Sequence, residues 1–429
     1  MEILNIFYFL VLTIICYNKL ISRGSVLKSP FNANDRLAVT GPEMYWIIVF
    51  STGLFAFSFD LGLDMSAIRL FVLMCLCGLG LLYTAGRPIL SWPLKIYCVY
   101  LLWLIVGMVY APSFGYGLRV FLKYLYPLLF CMFASAVITD FAGAFKAAVT
   151  ARLVALIVLI ISFIPLSHVI FPGTIWYTTA EVIHFIPMMM FSIALVFFTR
   201  EKWQNALYTL SFFLPCFILT LRTSILGSIA ALMSGSFIRW RVKALPVIAG
   251  LLIASVAALF ALPSLRNKMF YGKNLSISML TQGKISQDHI NTNYRAYLWK
   301  TLQDALYKDH ELTGSGTGAV QNMMYNNPKK FVGLKVAHSD FVQMMCDNGL
   351  IGLVLYGGMT LSIFIHCFRI YWGTHDNRIR IFAFTAGASI LGVVATCYSD
   401  NTVNYSMATL ALPFGFYGMT LALKERLKD

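Results

Sequence analysis

Long apolar segments separated by short polar ones recur along nearly the whole chain. A helix that crosses a bilayer needs ~17–25 mostly apolar residues. Segments of about that length fall near 3–21, 44–60, 67–85, 94–111, 119–138, 147–166, 184–199, 204–221, 223–239, 244–262, 347–368, 381–398 and 405–423. A transmembrane β-barrel would instead show ~10-residue strands of alternating polarity, a pattern the sequence lacks. We predict an all-α polytopic membrane protein with about 12–13 transmembrane helices.

The interval 263–346 is far longer than an ordinary connection between helices. Leu298, Leu302 and Leu306 recur at helical spacing, which predicts a helix over 293–306. A glycine-rich turn follows at 314–318, and a second helix is predicted over 319–325. The chain is therefore expected to have three parts, namely transmembrane helices in 1–262, a partly helical cap in 263–346, and further transmembrane helices with a tail in 347–429.

The charge distribution predicts which side of the membrane each loop faces. The chain is 59% hydrophobic and only 12% charged, against about 25% charged residues in soluble domains. Its net charge of +15 would suggest nucleic-acid binding in a soluble protein, but here the positive-inside rule applies first. Short basic loops at 200–202, 239–243, 369–380 and 424–428 are expected in the cytoplasm. The loop 263–346 and the N-terminus are then external, the C-terminus is cytoplasmic, and the bilayer rather than nucleic acid is the partner.

His338 and Asp340 stand at the end of the long loop, directly before an apolar span. A histidine with a pKa near ~6.5 can accept and return a proton at neutral pH. Asp340 could orient it or bind substrate, and a helix N-terminus at this point would favour a bound anion. The alternative interpretation of His338 is a structural histidine, and from sequence the two stand about equal.

Two arginines are candidates for binding phosphate. Arg222 lies between two predicted spans, at their external ends, with Thr223 and Ser224 beside it. Its five N–H donors form a planar fork that matches a phosphate. Arg295 begins the predicted loop helix after Tyr294. Arg222 could equally be a helix-end residue whose head group reaches water, and Arg295 a solvated surface residue.

Weaker candidates for substrate binding share a place on the predicted external side. They are the cations Arg69, Arg119, Lys123 and Lys335, the aromatic Tyr294, and the turn glycines Gly314 and Gly316. The glycine turn lacks the Lys-Ser/Thr ending of a P-loop, so a plain turn is its default interpretation. The histidines, cysteines and acidic residues show no metal-ligand spacing. We expect no metal and no cofactor.

The motifs occur in a recognisable order. Leu221-Arg-Thr-Ser224 is followed by Tyr294-Arg-Ala-Tyr-Leu-Trp299, the glycine turn, His338-Ser-Asp-Phe-Val-Gln343 and Asp347-Asn-Gly-Leu-Ile-Gly352. This order resembles the O-antigen ligase and Wzy polymerase superfamily of bacterial inner membranes, with the resemblance confined to about residues 205–425. In that family an asparagine often follows the histidine, whereas here Ser339 does, which leaves the role of this neighbour open.

The resemblance implies an inverting, metal-independent glycosyltransferase of GT-C type at the periplasmic face of the inner membrane. It implies an undecaprenyl-pyrophosphate-linked glycan donor. Arg222 and Arg295 would bind the pyrophosphate leaving group, and His338 would take the proton of the attacking hydroxyl.

Three functions remain open at this point. The first is a polymerase that joins oligosaccharide repeat units of an O-antigen, capsule or exopolysaccharide. Its donor and acceptor would both be linked to lipid carriers, and a co-polymerase that regulates chain length would be its partner. The second is a ligase that transfers polymer to lipid A–core. The third, of another class, is a flippase or transporter, which predicts charged residues near the bilayer midplane and interrupted helices at corresponding positions of two halves.

Overall fold

The computed structural model describes residue 31 and residues 41–52, 65–84, 86–163, 183–218, 220–270, 294–331 and 334–427. The helices are α1 (Gly41–Thr52), α2 (Met65–Tyr83), α3 (Trp92–Val109), α4 (Phe114–Val137), α5 (Phe141–Phe163), α6 (Phe185–Phe198), α7 (Lys202–Ile218), α8 (Arg222–Trp240), α9 (Leu245–Ala261), α10 (Pro263–Met269), α11 (Arg295–Leu306), α12 (Ala319–Asn326), α13 (Asp340–Gly373), α14 (Asn377–Thr396) and α15 (Ala411–Arg426). Short 3₁₀ helices lie at Arg241–Ala244 and Thr402–Tyr405. The predicted all-α fold is confirmed.

Within the described ranges, 6 helical segments are long and apolar enough to cross a membrane. They are Trp92–Val109, Phe114–Val137, Phe141–Ile160, Arg222–Ala261, Asp340–Gly373 and Asn377–Thr396. The apolar helices Leu70–Tyr83 and Phe185–Phe198 are shorter. The chain is therefore a multi-pass membrane protein. The larger number of spans expected from hydropathy stays a prediction, and the first of them, 3–21, lies outside the described residues.

Every predicted apolar segment from 44–60 onward overlaps a helix within the described residues, but several boundaries differ from the prediction, and two of the differences lie next to the site. α13 begins at Asp340 rather than near 347, and Gly349 interrupts it with φ 66°. A Cβ at Gly349 would lie 2.2 Å from the carbonyl oxygen of Leu312, so only glycine fits where the cap meets the helix. α15 begins at Ala411 rather than near 405, because the polar residues before it form the 3₁₀ helix Thr402–Tyr405.

α14 lies at the centre of the bundle and packs against α6, α8, α13 and α15. Small residues allow its closest contact, which is with α8. A Cβ at Gly227 would lie 2.9 Å from the carbonyl oxygen of Gly392, and one at Gly392 would lie 2.6 Å from the Cβ of Ala231. Such small-residue contacts let helix backbones approach where lipid provides no hydrophobic driving force. They hold the start of α8 beside the end of α14.

Two basic loops that were predicted to share one side of the membrane meet at one end of the bundle. Arg239 Nη1 donates to Tyr371 Oη at 2.9 Å, and Arg241 stacks 3.8 Å from the ring centre of Trp372. At the opposite end of the α8–α9 hairpin, Arg222 Nη1 donates to the carbonyl oxygen of Lys268 at 3.2 Å. The hairpin thus separates a strongly basic end from the end that carries Arg222.

The described part of the long loop forms a folded cap. Its hydrophobic cluster contains Leu298, Leu302, Val320, Met324, Phe331, Ala337, Val342 and Cys346. The helices α11 and α12 match the predicted ones, and of the predicted leucine face Leu298 and Leu302 are buried while Leu306 is partly buried. Residues 271–293 of the loop lie outside the described residues. The cap ends at α13, so the segment that carries His338 joins the cap to the bundle.

Candidate active site

The turn between α14 and α15 brings the predicted site residues together. It runs through Cys397–Asn401 and contacts the starts of three helices. Thr223 Oγ1 at the start of α8 lies 3.1 Å from Ser399 Oγ. Arg295 Nη1 at the start of α11 donates to the carbonyl oxygen of Ser399. The backbone N–H of Asp340 at the start of α13 bonds the carbonyl oxygens of Cys397, at 2.9 Å, and of Asp400, at 3.1 Å.

The start of α13 is anchored by its own capping group and by a buried carboxylate. Ser339 Oγ accepts from the backbone N–H of Val342 at 3.2 Å, an N-cap contact. Asp340 is only 3% exposed, and its Oδ2 accepts from the backbone N–H of Val403 at 2.9 Å. Both contacts fix the register of α13 against the turn. In this structure the Asp340 carboxylate bonds protein groups, and its predicted role in substrate binding stays a prediction.

His338 lies immediately before this capped helix start and is partly exposed. Its φ of 53° is left-handed, a conformation that histidine adopts more readily than most residues and that clusters at functional sites. Its Nδ1 lies 3.5 Å from Asn401 Nδ2. Burial and then the nearby charge of Arg295 lower the pKa of His338, while the Asp400 carboxylate acts in the opposite direction. The imidazole is therefore neutral at physiological pH and has a basic nitrogen.

Arg295 is half-buried between the cap and the turn. Besides its bond to Ser399, it lies near the Asp400 carboxylate, which favours its charged form while burial lowers its pKa. A guanidinium stays charged in proteins despite such a shift. Arg295 thus places a fixed positive charge beside His338.

Arg222 lies on the α8 side of the same turn. Its guanidinium contacts the carbonyl oxygen of Lys268, and burial together with the charge of Arg222 lowers the pKa of Lys268. Arg222 also forms part of the wall of a cavity of about 540 Å³ between α7, α8, α9 and α10. The remainder of this wall is almost entirely apolar, with Phe217, Ile229 and Leu259 among its residues. The cavity joins a cationic end to an apolar space between helices.

The weaker candidates fall into two groups. Tyr294, Lys335, Gly314 and Gly316 belong to the cap, where Tyr294 is 75% exposed and Lys335 Nζ lies 5.8 Å from the ring centre of Tyr325. Arg119 and Lys123 belong to α4 and line a second cavity, whose wall also includes Asn404. Arg69 lies in α2, but its side chain is outside the described residues.

The glycine turn attaches the cap to the bundle. The backbone N–H groups of Ser315, Gly316 and Thr317 donate to the carbonyl oxygens of Cys346, Asp347 and Gly107 at 2.9, 2.9 and 3.1 Å. A Cβ at Gly314, whose φ is 72°, would lie 2.5 Å from the backbone nitrogen of Asn348. The backbone N–H groups of the turn thus bond protein carbonyls, and binding of substrate by Gly314 and Gly316 stays a prediction.

Asp400 and Asn401 belong to the site although the motifs did not single them out. Asn401 contacts His338, and the charge of Asp400 acts on His338 and Arg295. Both residues lie in a turn about sixty residues after His338. The sequence contains a signal for them, because Ser399 to Thr402 is a polar interval between two predicted spans on the same predicted side as the cap. Within the part of the chain that the structure describes, no group of three His, Cys, Asp or Glu could hold a metal ion.

A family match covers the α7–α13 region, which contains Arg222, Arg295 and His338. Residues 206–357 match the O-antigen ligase family. This match covers about a third of the chain and confirms the resemblance to the O-antigen ligase and Wzy polymerase superfamily. A search of curated proteins found no match. This match supports a ligase- or polymerase-type role in O-antigen assembly, and the family implies lipid-linked glycans as substrates in a membrane.

Proposed function

We propose that the protein is a polymerase that joins undecaprenyl-pyrophosphate-linked oligosaccharide repeat units at the periplasmic face of the bacterial inner membrane. The observation that carries the proposal is the convergence of His338, Arg295 and the start of α8 on the single turn Cys397–Asn401. A neutral base and fixed cations at one end of a membrane bundle suit transfer of a sugar from a pyrophosphate. The C-terminus then lies in the cytoplasm, with the basic end of the bundle.

The leaving group is stabilised by arginine. When the bond between the anomeric carbon and the phosphate oxygen breaks, the electron pair stays on the pyrophosphate and its negative charge grows. Donors fixed in place before the reaction stabilise such developing charge most effectively. Arg295 is held by the Ser399 carbonyl, and Arg222 stands beside Lys268.

His338 activates the acceptor. A hydroxyl of the acceptor sugar attacks the anomeric carbon from the face opposite the pyrophosphate, and its proton passes to the imidazole. The new glycosidic bond therefore has inverted configuration. Because burial and Arg295 lower the pKa of His338, its neutral form is available at neutral pH. The Asp400 carboxylate lies close enough to stabilise the imidazolium that forms.

The cavity between α8 and α9 suits the isoprenoid chain of the donor. Arg222 is at its polar end with the charge of Lys268 nearby, and aliphatic and aromatic side chains line the rest. A lipid pyrophosphate has the same distribution of charge and apolar surface. The charged groups of the candidate site cluster at one end of the bundle rather than at mid-membrane, which favours transfer over the flippase alternative.

The pH dependence of transfer reports on His338. We expect kcat/KM to fall at acid pH because protonation of His338 removes the base. Because the pKa of His338 is lowered, the fall should lie below about 6.5, the ordinary pKa of histidine. Asp400→Asn removes the group that raises this pKa, so the acidic limb of the profile should move to lower pH. Asp376→Asn, at the basic end of the bundle, should leave the limb in place. An acidic limb that moves to higher pH in Asp400→Asn would contradict this assignment.

Lipopolysaccharide from a deletion strain separates the two family functions. A polymerase mutant should still attach single repeat units to lipid A–core, so silver-stained gels should show core plus one unit. A ligase mutant would show bare core, with polymer left on the carrier. We expect the first pattern, restored to a ladder by the wild-type gene. A normal ladder in the deletion strain would exclude both functions for O-antigen.

A further inference from the structure

A second cavity lies beside the 3₁₀ helix Thr402–Tyr405, which follows the turn Cys397–Asn401. Its volume is about 230 Å³, and its wall includes Arg119 and Lys123 of α4, Asn404 of the 3₁₀ helix and Ser406 directly after it. Leu70 and Phe71 of α2 form an apolar part of the same wall. Phe71 is 66% exposed, so this side of the cavity borders the outer surface of the bundle.

The two cations are built into a membrane helix. Arg119 and Lys123 are four residues apart on α4, so their side chains lie on the same face. Lys123 is only 8% exposed, and its Nζ donates to Asn404 Oδ1 at 2.5 Å. Arg119, which is half-buried, brings a second cation into the cavity. Ionisable residues inside a transmembrane helix are costly and commonly mark the path of a charged substrate.

The cavity shares its wall with the site that holds His338. Asn404 belongs to the 3₁₀ helix Thr402–Tyr405, whose Val403 N–H bonds Asp340 two residues after His338. Asn401, directly before this helix, faces His338. The short segment that contacts the proposed base therefore also borders the cavity. α4 contacts this segment through Lys123, whereas α8 contacts the preceding turn through Thr223.

We infer that the Arg119–Lys123 cavity binds the phosphate-bearing head group of a second lipid-anchored substrate, the acceptor. This inference rests on the proposed transfer between two lipid-linked molecules, since each needs its own approach from the bilayer to one base. The polar groups of the cavity fit a phosphate, with N–H donors from Arg119 and Lys123 and the hydroxyl of Ser406. The apolar wall from α2 fits the beginning of its lipid chain.

Native mass spectrometry of the full-length protein in detergent, with undecaprenyl pyrophosphate as the probe, tests the inference. We expect the wild-type protein to bind two molecules. Arg119→Gln should lose one of them, with its affinity weaker by about tenfold or more, as expected for loss of a charge-assisted contact. Arg222→Gln should lose the other. Lys308→Gln removes a cation from the exposed cap and should retain both, and unchanged thermal unfolding should show that each variant is folded.

Further binding measurements identify which lipid carries the bound phosphate. They also distinguish failure of this inference from failure of the proposed function. If lipid A, rather than a second carrier, binds the wild type and is lost in Arg119→Gln, the site stands but its acceptor is that of a ligase. The site would be overturned if Arg119→Gln still bound two molecules of undecaprenyl pyrophosphate. It would also be overturned if the wild type bound one such molecule and no lipid A. If phosphatidylglycerol displaced the second undecaprenyl pyrophosphate as readily as undecaprenyl pyrophosphate itself, the site would also be overturned. If Arg119→Gln loses one molecule but Arg222→Gln still binds two, the donor site at Arg222 is contradicted and the Arg119 site stands.

Discussion

Replacement of His338 should abolish polymer formation while the protein remains folded and inserted. Loss of a general base typically costs ~10²–10⁴ in rate, enough to remove polymer from a cell. His338→Asn is the more informative variant, because asparagine tolerates the left-handed backbone found at this position and cannot act as a base at neutral pH. His338→Ala should have the same effect on polymer. The measurement is the polymer ladder in a deletion strain carrying each variant, at matched protein level.

A second histidine of the cap provides the control. His310 is exposed, and only its backbone is bonded to the glycine turn. His310→Ala should leave the ladder unchanged. Binding of the lipid-linked donor should survive in His338→Asn, since that residue is placed to accept a proton rather than to hold phosphate. A His338→Asn or His338→Ala enzyme that keeps more than about half of the wild-type rate would rule out general-base catalysis at this position, because loss of a base cannot be that mild.

Arg222→Lys should nearly eliminate polymer although the positive charge is kept. Lysine lacks the planar fork that can bond two phosphate oxygens at once. Loss of one preorganised donor to developing charge typically lowers kcat by ~10²–10³. Arg295→Ala should have at least as large an effect, because it removes the charge beside His338 as well as a donor to phosphate. Both are measured as transfer rates with purified protein, alongside protein level in the membrane.

Arg378→Lys is the matched control for the loss of a guanidinium. Arg378 pairs with Asp376 at the opposite end of the bundle, with 2.7 Å between Nη2 and Oδ2. Surface pairs of this kind contribute about 0–1 kcal/mol, so activity should stay near that of the wild type. If Arg222→Ala gave normal polymer, Arg222 would be a helix-end residue whose head group only reaches water, the alternative open at the sequence level.

Hydropathy and periodicity predicted most of the fold because both depend on local composition. The spans from 44–60 onward and the two cap helices follow from runs of apolar residues and from the spacing of Leu298, Leu302 and Leu306. The start of α13 at Asp340 did not follow, because polar residues buried against the cap look like loop in a hydropathy profile. The Ser339 N-cap followed by Asp340 was the local signal for that boundary.

The candidate site could be predicted only in part. His338, Arg222 and Arg295 stand out because a titratable or forked side chain is conspicuous beside apolar spans. Asp400 and Asn401 were missed because their importance comes from the packing of α14, which is set by small residues such as Gly227 and Gly392. The sequence alone also could not predict the contact between Lys123 and Asn404, because the two residues are far apart along the chain.

Reconstitution of the reaction tests the central claim most directly. Purified protein in nanodiscs would receive lipid-linked repeat units isolated from the deletion strain, in the presence of EDTA. The account predicts a ladder of longer lipid-linked chains, with one undecaprenyl pyrophosphate released for each new glycosidic bond, and neither product with His338→Asn. Movement of repeat units across the membrane without new bonds or released pyrophosphate, or an equal ladder from His338→Asn, would contradict it.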